Sequence, residues 1–160
     1  MDLTQEDIKK ELSYDLIGGF FTRLTTGKVA GSMDSSGYIQ IRVKGRLRLA
    51  SRLAWTYVTG KNPPAKVDHI DRTPLNNSWI NLRAATNKQN SHNSEIRRNN
   101  TSGFKGVSYH RATGKWQASI RDGKQKYLGL YDSPELAHEA YVFEAKKIHG
   151  KFFCEAGVKK

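Results

Sequence analysis

The sequence predicts an α+β fold in two parts, and three observations carry that prediction. Apolar and polar residues alternate from Tyr38 to Leu49 around Lys44-Gly45, then give way to an apolar stretch over 51–58. Residues 66–93 read as strand, loop, strand and helix. Three strand signals between 104 and 129 precede a capped helical stretch that stops at Gly150. In both parts a period of two gives way to helical spacing, as in small sheets packed on helices.

The bulk properties bound this further. The chain has 160 residues with 37% hydrophobic content and a mean hydropathy of -0.69, which fits two modest cores better than one deep one. Its net charge of +12 points to a polyanionic partner. Both parts share that charge: residues 1–98 carry 16 Lys/Arg against 9 Asp/Glu, and residues 99–160 carry 11 against 6. The single cysteine, Cys154, excludes an internal disulfide and a cysteine-based zinc site. No apolar run approaches the ~18 residues of a membrane span, and the polar start MDLTQEDIKKEL does not read as a signal peptide. A cytoplasmic protein with no membrane partner is expected.

Taken in order, residues 4–13 read as a short helix with Thr4 and Asp7 at capping-box spacing. Thr26-Gly27 and Asp34-Ser35-Ser36-Gly37 are turns. The alternation predicts a hairpin with Ile39, Ile41, Val43, Leu47 and Leu49 on one face. Arg42, Lys44, Arg46 and Arg48 would form a basic opposite face, able to lie along phosphates. The stretch 51–58 reads as a buried helix ended by Gly60, and Pro63-Pro64 breaks the chain before the central segment.

That segment, VDHIDRTPLNNSWINLRAATNKQNSHN over 67–93, holds the densest set of polar ligands. Lys66–Ile70 is expected as a strand ending in Asp68-His69, and Asn81–Arg83 as a second strand. Thr86 is expected to cap a helix that carries Asn87, Asn90 and Asn93. A neutral imidazole can take a proton from water. A hard divalent cation can polarise a phosphate while taking only one or two ligands from protein. Asp68 and the amide oxygen of Asn90 suit such a cation.

The segment resembles the HNH homing endonucleases of the ββα-metal class. Their pattern is similar to V-D-H-I-D-x-x-P-x-N-N-x-x-x-N-L-R-x-x-T-x-x-x-N, and it is matched here from Val67 to Asn90. The resemblance implies His69 as general base and Asp68 and Asn90 as metal ligands. Asn81 would brace the loop and orient His69, and Asn76, Asn77 and Arg83 would be structural or contact the DNA backbone. It implies one Mg2+ or Mn2+ per site, double-stranded DNA as partner, no small-molecule cofactor, a monomer, and a phage-like origin in a host cytoplasm. It extends upstream over 14–60, with Ser51 standing where these enzymes often carry His.

Residues 94–101 read as a polar linker in which Arg97 and Arg98 could touch DNA. From 102 onward three strands (104–109, 115–121 and 125–129) and a helix are expected. Ser133 would be its N-cap, Pro134 its first residue, and Leu136, Ala137, Ala140, Tyr141, Ala145 and Ile148 its buried face. The segments SGFKGV, GKWQASIR and YLGLYDSPELAHEAY, closed by His149-Gly150, resemble the plant-type ethylene-response-factor or Apetala-two domain. That resemblance implies DNA-facing positions at Lys105, Ser108, His110, Ser119, Arg121, Lys126 and Tyr127, with Trp116 either on DNA or in the core. Plant factors carry Arg or Glu at several of these positions, so the target sequence does not transfer.

The resulting expectation has a nuclease domain over 1–93, a linker over 94–101 and a DNA-binding domain over 102–160. Together they would form a site-directed, homing-type DNA endonuclease. The alternative is a non-catalytic DNA-binding regulator on a degenerate nuclease fold.

Overall fold

The computed structural model describes residues 3–92, 96 and 99–153. Asn93, Arg97, Arg98 and Cys154 lie outside the described residues. The chain divides into two compact units, Met1–Asn90 and Ser91–Lys160.

The first unit opens with α1 (Gln5–Glu11). Thr4 caps it through a reciprocal bond set with Asp7, as the spacing predicts. The chain then forms β1 (Leu12–Tyr14), β2 (Phe21–Arg23) and β3 (Val29–Ala30), which pair in that order. A second sheet holds β4 (Ser32–Met33), β5 (Ile39–Val43) and β6 (Arg46–Leu49). Helix α2 (Ala50–Thr59) follows and ends on Gly60 in the left-handed region. A two-stranded ribbon of β7 (Lys66–His69) and β8 (Leu82–Ala85) leads into α3 (Asn87–His92). Thr86 Oγ1 accepts from Gln89 N and Gln89 Oε1 accepts from Thr86 N, so α3 also begins with a capping box. One core, built on Ile8, Leu12, Phe21, Ile41, Val43 and Leu53, joins these elements and reaches Leu82 of the ribbon.

The β5–β6 hairpin departs from expectation. Its Lys44-Gly45 turn has φ of 47° and 75°, the two positive values that a tight two-residue turn requires. That turn pairs Val43 with Arg46, Arg42 with Leu47 and Ile41 with Arg48. Opposed residues share a face, so Arg46 and Arg48 lie on the side of Val43 and Ile41, and Arg42 on the side of Leu47. Each strand alternates as read, but the register sets the two basic stripes on opposite faces. Arg48 is half-buried and lines a cavity of about 390 Å3 with Arg52 and Leu53. Lys44 Nζ meets Asp7 Oδ1 at 2.7 Å, and this contact holds the Asp7 carboxyl down at about 2. Arg42 Nη1 donates to Gly45 O at 2.8 Å. Arg46 remains exposed.

The second unit is a three-stranded antiparallel sheet in the order β11-β10-β9, with β9 (Val107–His110), β10 (Lys115–Asp122) and β11 (Lys124–Tyr131). Helix α4 (Pro134–His149) packs on it. Ser133 caps the helix by accepting from Leu136 N, and Gly150 ends it. Ala118 and Ile120 of the sheet meet Ala137, Tyr141 and Ala145 of the helix. Leu136, expected on the buried face, is 49% exposed. Gly106 sits at +77°, where an added Cβ would lie 2.0 Å from the Tyr141 ring. Only a residue without a side chain lets the loop before β9 reach the helix. Among the described residues no helix is long and apolar enough to cross a membrane.

Candidate active site

The β7–β8 ribbon positions the site. Its register sets Asp68 opposite Arg83 and His69 opposite Leu82. Asp68 and His69 are both buried, at 5% and 6% exposure, which polar groups tolerate only when partnered. Arg83 Nε lies 2.7 Å from Asp68 Oδ2. Arg83, expected either as a structural residue or as a contact to the DNA backbone, is turned onto the acid beside it. His69 Nε2 lies 3.1 Å from Asn77 Oδ1, and the Tyr38 ring stands 6.1 Å from the imidazole.

The loop between the strands is held by side-chain amides in place of a ladder. Asn81 is its hub. It donates through Nδ2 to Asp71 Oδ1 and to Asn76 O, and its Oδ1 accepts from Asp71 N. Its carbonyl accepts from Ile70 N, directly after His69. Asn76 donates to Asp71 Oδ2 and accepts from Ser78 Oγ. Burial acts to raise the Asp71 carboxyl. The bonds from Thr73, Asn76 and Asn81, with the nearby His69, outweigh that and hold it below its ordinary value.

The end of β1 and the segment after it support this loop. Tyr14 Oη donates to Asn77 O at 2.5 Å, and Trp79 N donates to Leu16 O at 2.9 Å. Gly19, at φ +73°, lies so close that an added Cβ would stand 2.2 Å from Ser78 N. Burial pushes the Tyr14 hydroxyl up to about 12. The Asn-Asn pair at 76–77 signals a structured loop, but nothing in the sequence links Tyr14 to it across 63 positions.

Asn90 lies half-buried on α3, with its N–H bonded to Thr86 O. Asp68 and Asn90 offer a carboxylate and an amide oxygen. Among the described residues no group of three or more His, Cys, Asp or Glu is gathered. A carboxylate and an amide oxygen are donors of the kind a hard cation takes.

The sheet of the second unit has one face covered by α4 and one turned away from it. By register, Ser108 and His110 of β9, Ser119 and Arg121 of β10 and Tyr127 of β11 share the open face. Lys126 does not. It pairs with buried Ile120, and its Nζ meets Glu144 of α4 at 2.5 Å, holding that carboxyl below its ordinary value. A slip in pairing between Ala118 and Ser119 sets this alternation, and sequence spacing does not show it. Lys105 precedes β9, and its carbonyl accepts from His138 Nδ1. Trp116 faces the core and packs edge-on against Tyr109. Gln117 and Gln125 also line the open face, and Gln125 donates to Ser119 Oγ.

Comparison with known proteins adds a profile described as HNH endonuclease, which matches residues 48–92. Protein 3.8 of Escherichia phage T7 is 35% identical over 101 residues, covering 61% of this chain and 82% of that protein. The AP2-like ethylene-responsive transcription factor TOE2 of Arabidopsis thaliana is 43% identical over 54 residues, 33% of this chain and 11% of the plant protein. The chain thus spans about a tenth of that plant relative. A solved structure, "DNA binding and cleavage by the HNH homing endonuclease I-HmuI", superposes with a TM-score of 0.44 at 22% identity, covering 95% of this chain and 94% of that one.

Proposed function

This chain belongs to the HNH endonuclease family, and from that premise we propose that it is a homing-type enzyme that hydrolyses double-stranded DNA at a directed site. The observation that carries this reading is that Asp68 and His69, successive residues at the end of β7, are both buried, with the loop beyond them braced by Asn81.

His69 accepts a proton from water, and the resulting hydroxide attacks the phosphorus. The bond to the leaving oxygen breaks as the new one forms. Asn81 keeps the chain after His69 from shifting, through Ile70 and Asp71. Asp68 and Asn90 would hold one Mg2+ or Mn2+, which when bound supplies Lewis-acid polarisation of the phosphate and neutralises charge on the leaving oxygen. The open face of the β9–β11 sheet would lie in a major groove and direct the nuclease unit to its target. Five of the residues expected to face DNA stand there together.

The test is cleavage of supercoiled plasmid by the full chain, with Mg2+ and with EDTA. Metal-dependent nicking or linearisation is expected, and its loss in His69→Ala. A second reading, a non-catalytic DNA-binding regulator, is favoured by one observation: Asp68 is already engaged by Arg83 at 2.7 Å. Tight binding without cleavage under every divalent ion tried would select it.

A further inference from the structure

We propose that the cavity between β6, α2 and the segment after Gly60 binds a phosphate group, held by Arg48 and Arg52. Neither Asp68 nor His69 lines this cavity. The site stands on its own charge and shape, and only DNA as a source of the phosphate rests on the nuclease reading.

Arg48 reaches the cavity through the hairpin register. The Lys44-Gly45 turn sets it opposite Ile41, which is 1% exposed in the core, so the arginine is half-buried. Its guanidinium has no hydrogen bond or ion pair with any described residue. A cation drawn partly out of water without a partner is unfavourable. Arg52, in the first turns of α2, supplies a second one. Its Nη1 donates to Pro64 O at 2.8 Å and to Ala65 O at 3.4 Å. Its Nε and Nη2 make no bond to a described residue. The two carbonyls therefore fix the guanidinium without neutralising it, and leave donors to spare.

The wall of this cavity, about 390 Å3 in volume, thus carries two positive charges and no Asp or Glu. Thr56, one turn beyond Arg52 on the same face of α2, brings a hydroxyl, and Asn62 brings an amide. The rest of the lining is apolar. Exposed Lys61 precedes the wall residue Asn62 and adds to the positive field. A planar carboxylate is satisfied by one guanidinium fork. A tetrahedral phosphate offers oxygens in several directions, as two forks from separate elements require, and its charge relieves the repulsion between them. Two sources present that chemistry: a phosphodiester of bound DNA, and free phosphate.

The test follows the arginine Nε–Hε signals of the full, 15N-labelled chain. Inorganic phosphate should move the Arg48 and Arg52 signals to saturation, while sodium chloride at equal ionic strength should not. Arg48→Gln should abolish the Arg52 response. Arg46→Gln, at an exposed position that does not line the cavity, should leave it intact. A second arm measures duplex affinity against salt. If a phosphodiester is the ligand, Arg48→Gln should reduce the slope of log affinity on log salt by about 1 for duplexes of any sequence. An unchanged slope with the phosphate response present assigns the cavity to free phosphate. Signals that move with neither phosphate nor duplex, or equally with chloride, overturn the proposal. The spectra of the unsubstituted chain decide this even where Arg48→Gln does not fold. A chain that never cleaves plasmid would sink the nuclease reading and leave the phosphate titration untouched.

Discussion

Arg83 Nε lies 2.7 Å from Asp68 Oδ2 across the β7–β8 ribbon, and both side chains are largely shielded, at 13% and 6% exposure. The pair explains how a carboxylate can sit buried beside His69. A lone buried charge there would be costly, and the arginine offsets that cost before any cation or phosphate arrives.

Removal of the arginine alone should therefore harm the fold. Arg83→Met is expected to lower stability by about 3 kcal/mol or more, the range seen when one partner of a buried pair is lost. The double change with Asp68→Asn should recover most of it. Urea unfolding of the three proteins checks this. A single variant as stable as its parent would show that solvent reaches Asp68.

Tyr14 offers a pH signature. Its hydroxyl ionises at about 12 in the folded protein against 10.0 ordinarily. A raised folded value means that its contribution is complete below the ordinary pKa and falls away as pH rises from about 10 to about 12. Tyr14→Phe should lose that alkaline dependence. It should also cost about 1–3 kcal/mol, because the Asn77 carbonyl is left without its donor. Thermal melts across alkaline pH measure both effects.

Asp71 acts in the opposite pH range. Its carboxyl is held below the ordinary 3.8 in the folded chain. A depressed folded value contributes stability that is present above 3.8 and is lost as pH falls through the folded pKa. Asp71→Asn should flatten acid unfolding in that window. It should also reduce cleavage at neutral pH, since Asn81 and Asn76 both hold this carboxylate. Denaturation from pH 5 downward, set beside plasmid cleavage, tests the pair of effects.

In the second unit the sheet makes a distinction between two cations that sequence spacing treats alike. Arg121→Ala should weaken target binding by about 1–3 kcal/mol if it reads a base. Lys126→Ala should weaken it less, because Lys126 stands on the helix side with Glu144. Affinities for target and unrelated duplexes at one fixed salt concentration decide this. Equal losses for both variants would mean that the binding face is not the one turned away from α4.

Gly106 gives a structural test of the same unit. Gly106→Ala adds a methyl group 2.0 Å from the Tyr141 ring at a φ of +77°. It should unfold or loosen the β9–α4 packing and abolish specific binding. Circular dichroism and the same duplex affinities would register the change.

The sequence by itself determined the elements and their chemistry. Local rules governed them: Thr4, Thr86 and Ser133 cap helices, Gly60 and Gly150 end them, and alternation marks strands. The run from Val67 to Asn90 likewise set out Asp68, His69 and the asparagines as candidate site residues, because their order along the chain is itself the signal. Only the tertiary structure decided which groups meet. Register through the Lys44-Gly45 turn split the basic hairpin, a slip at Ala118/Ser119 turned Lys126 toward the helix, and folding brought Tyr14 beneath Asn77. Faces and partners depend on pairing between distant segments, where a one-residue shift reverses every side chain. No local pattern records that pairing.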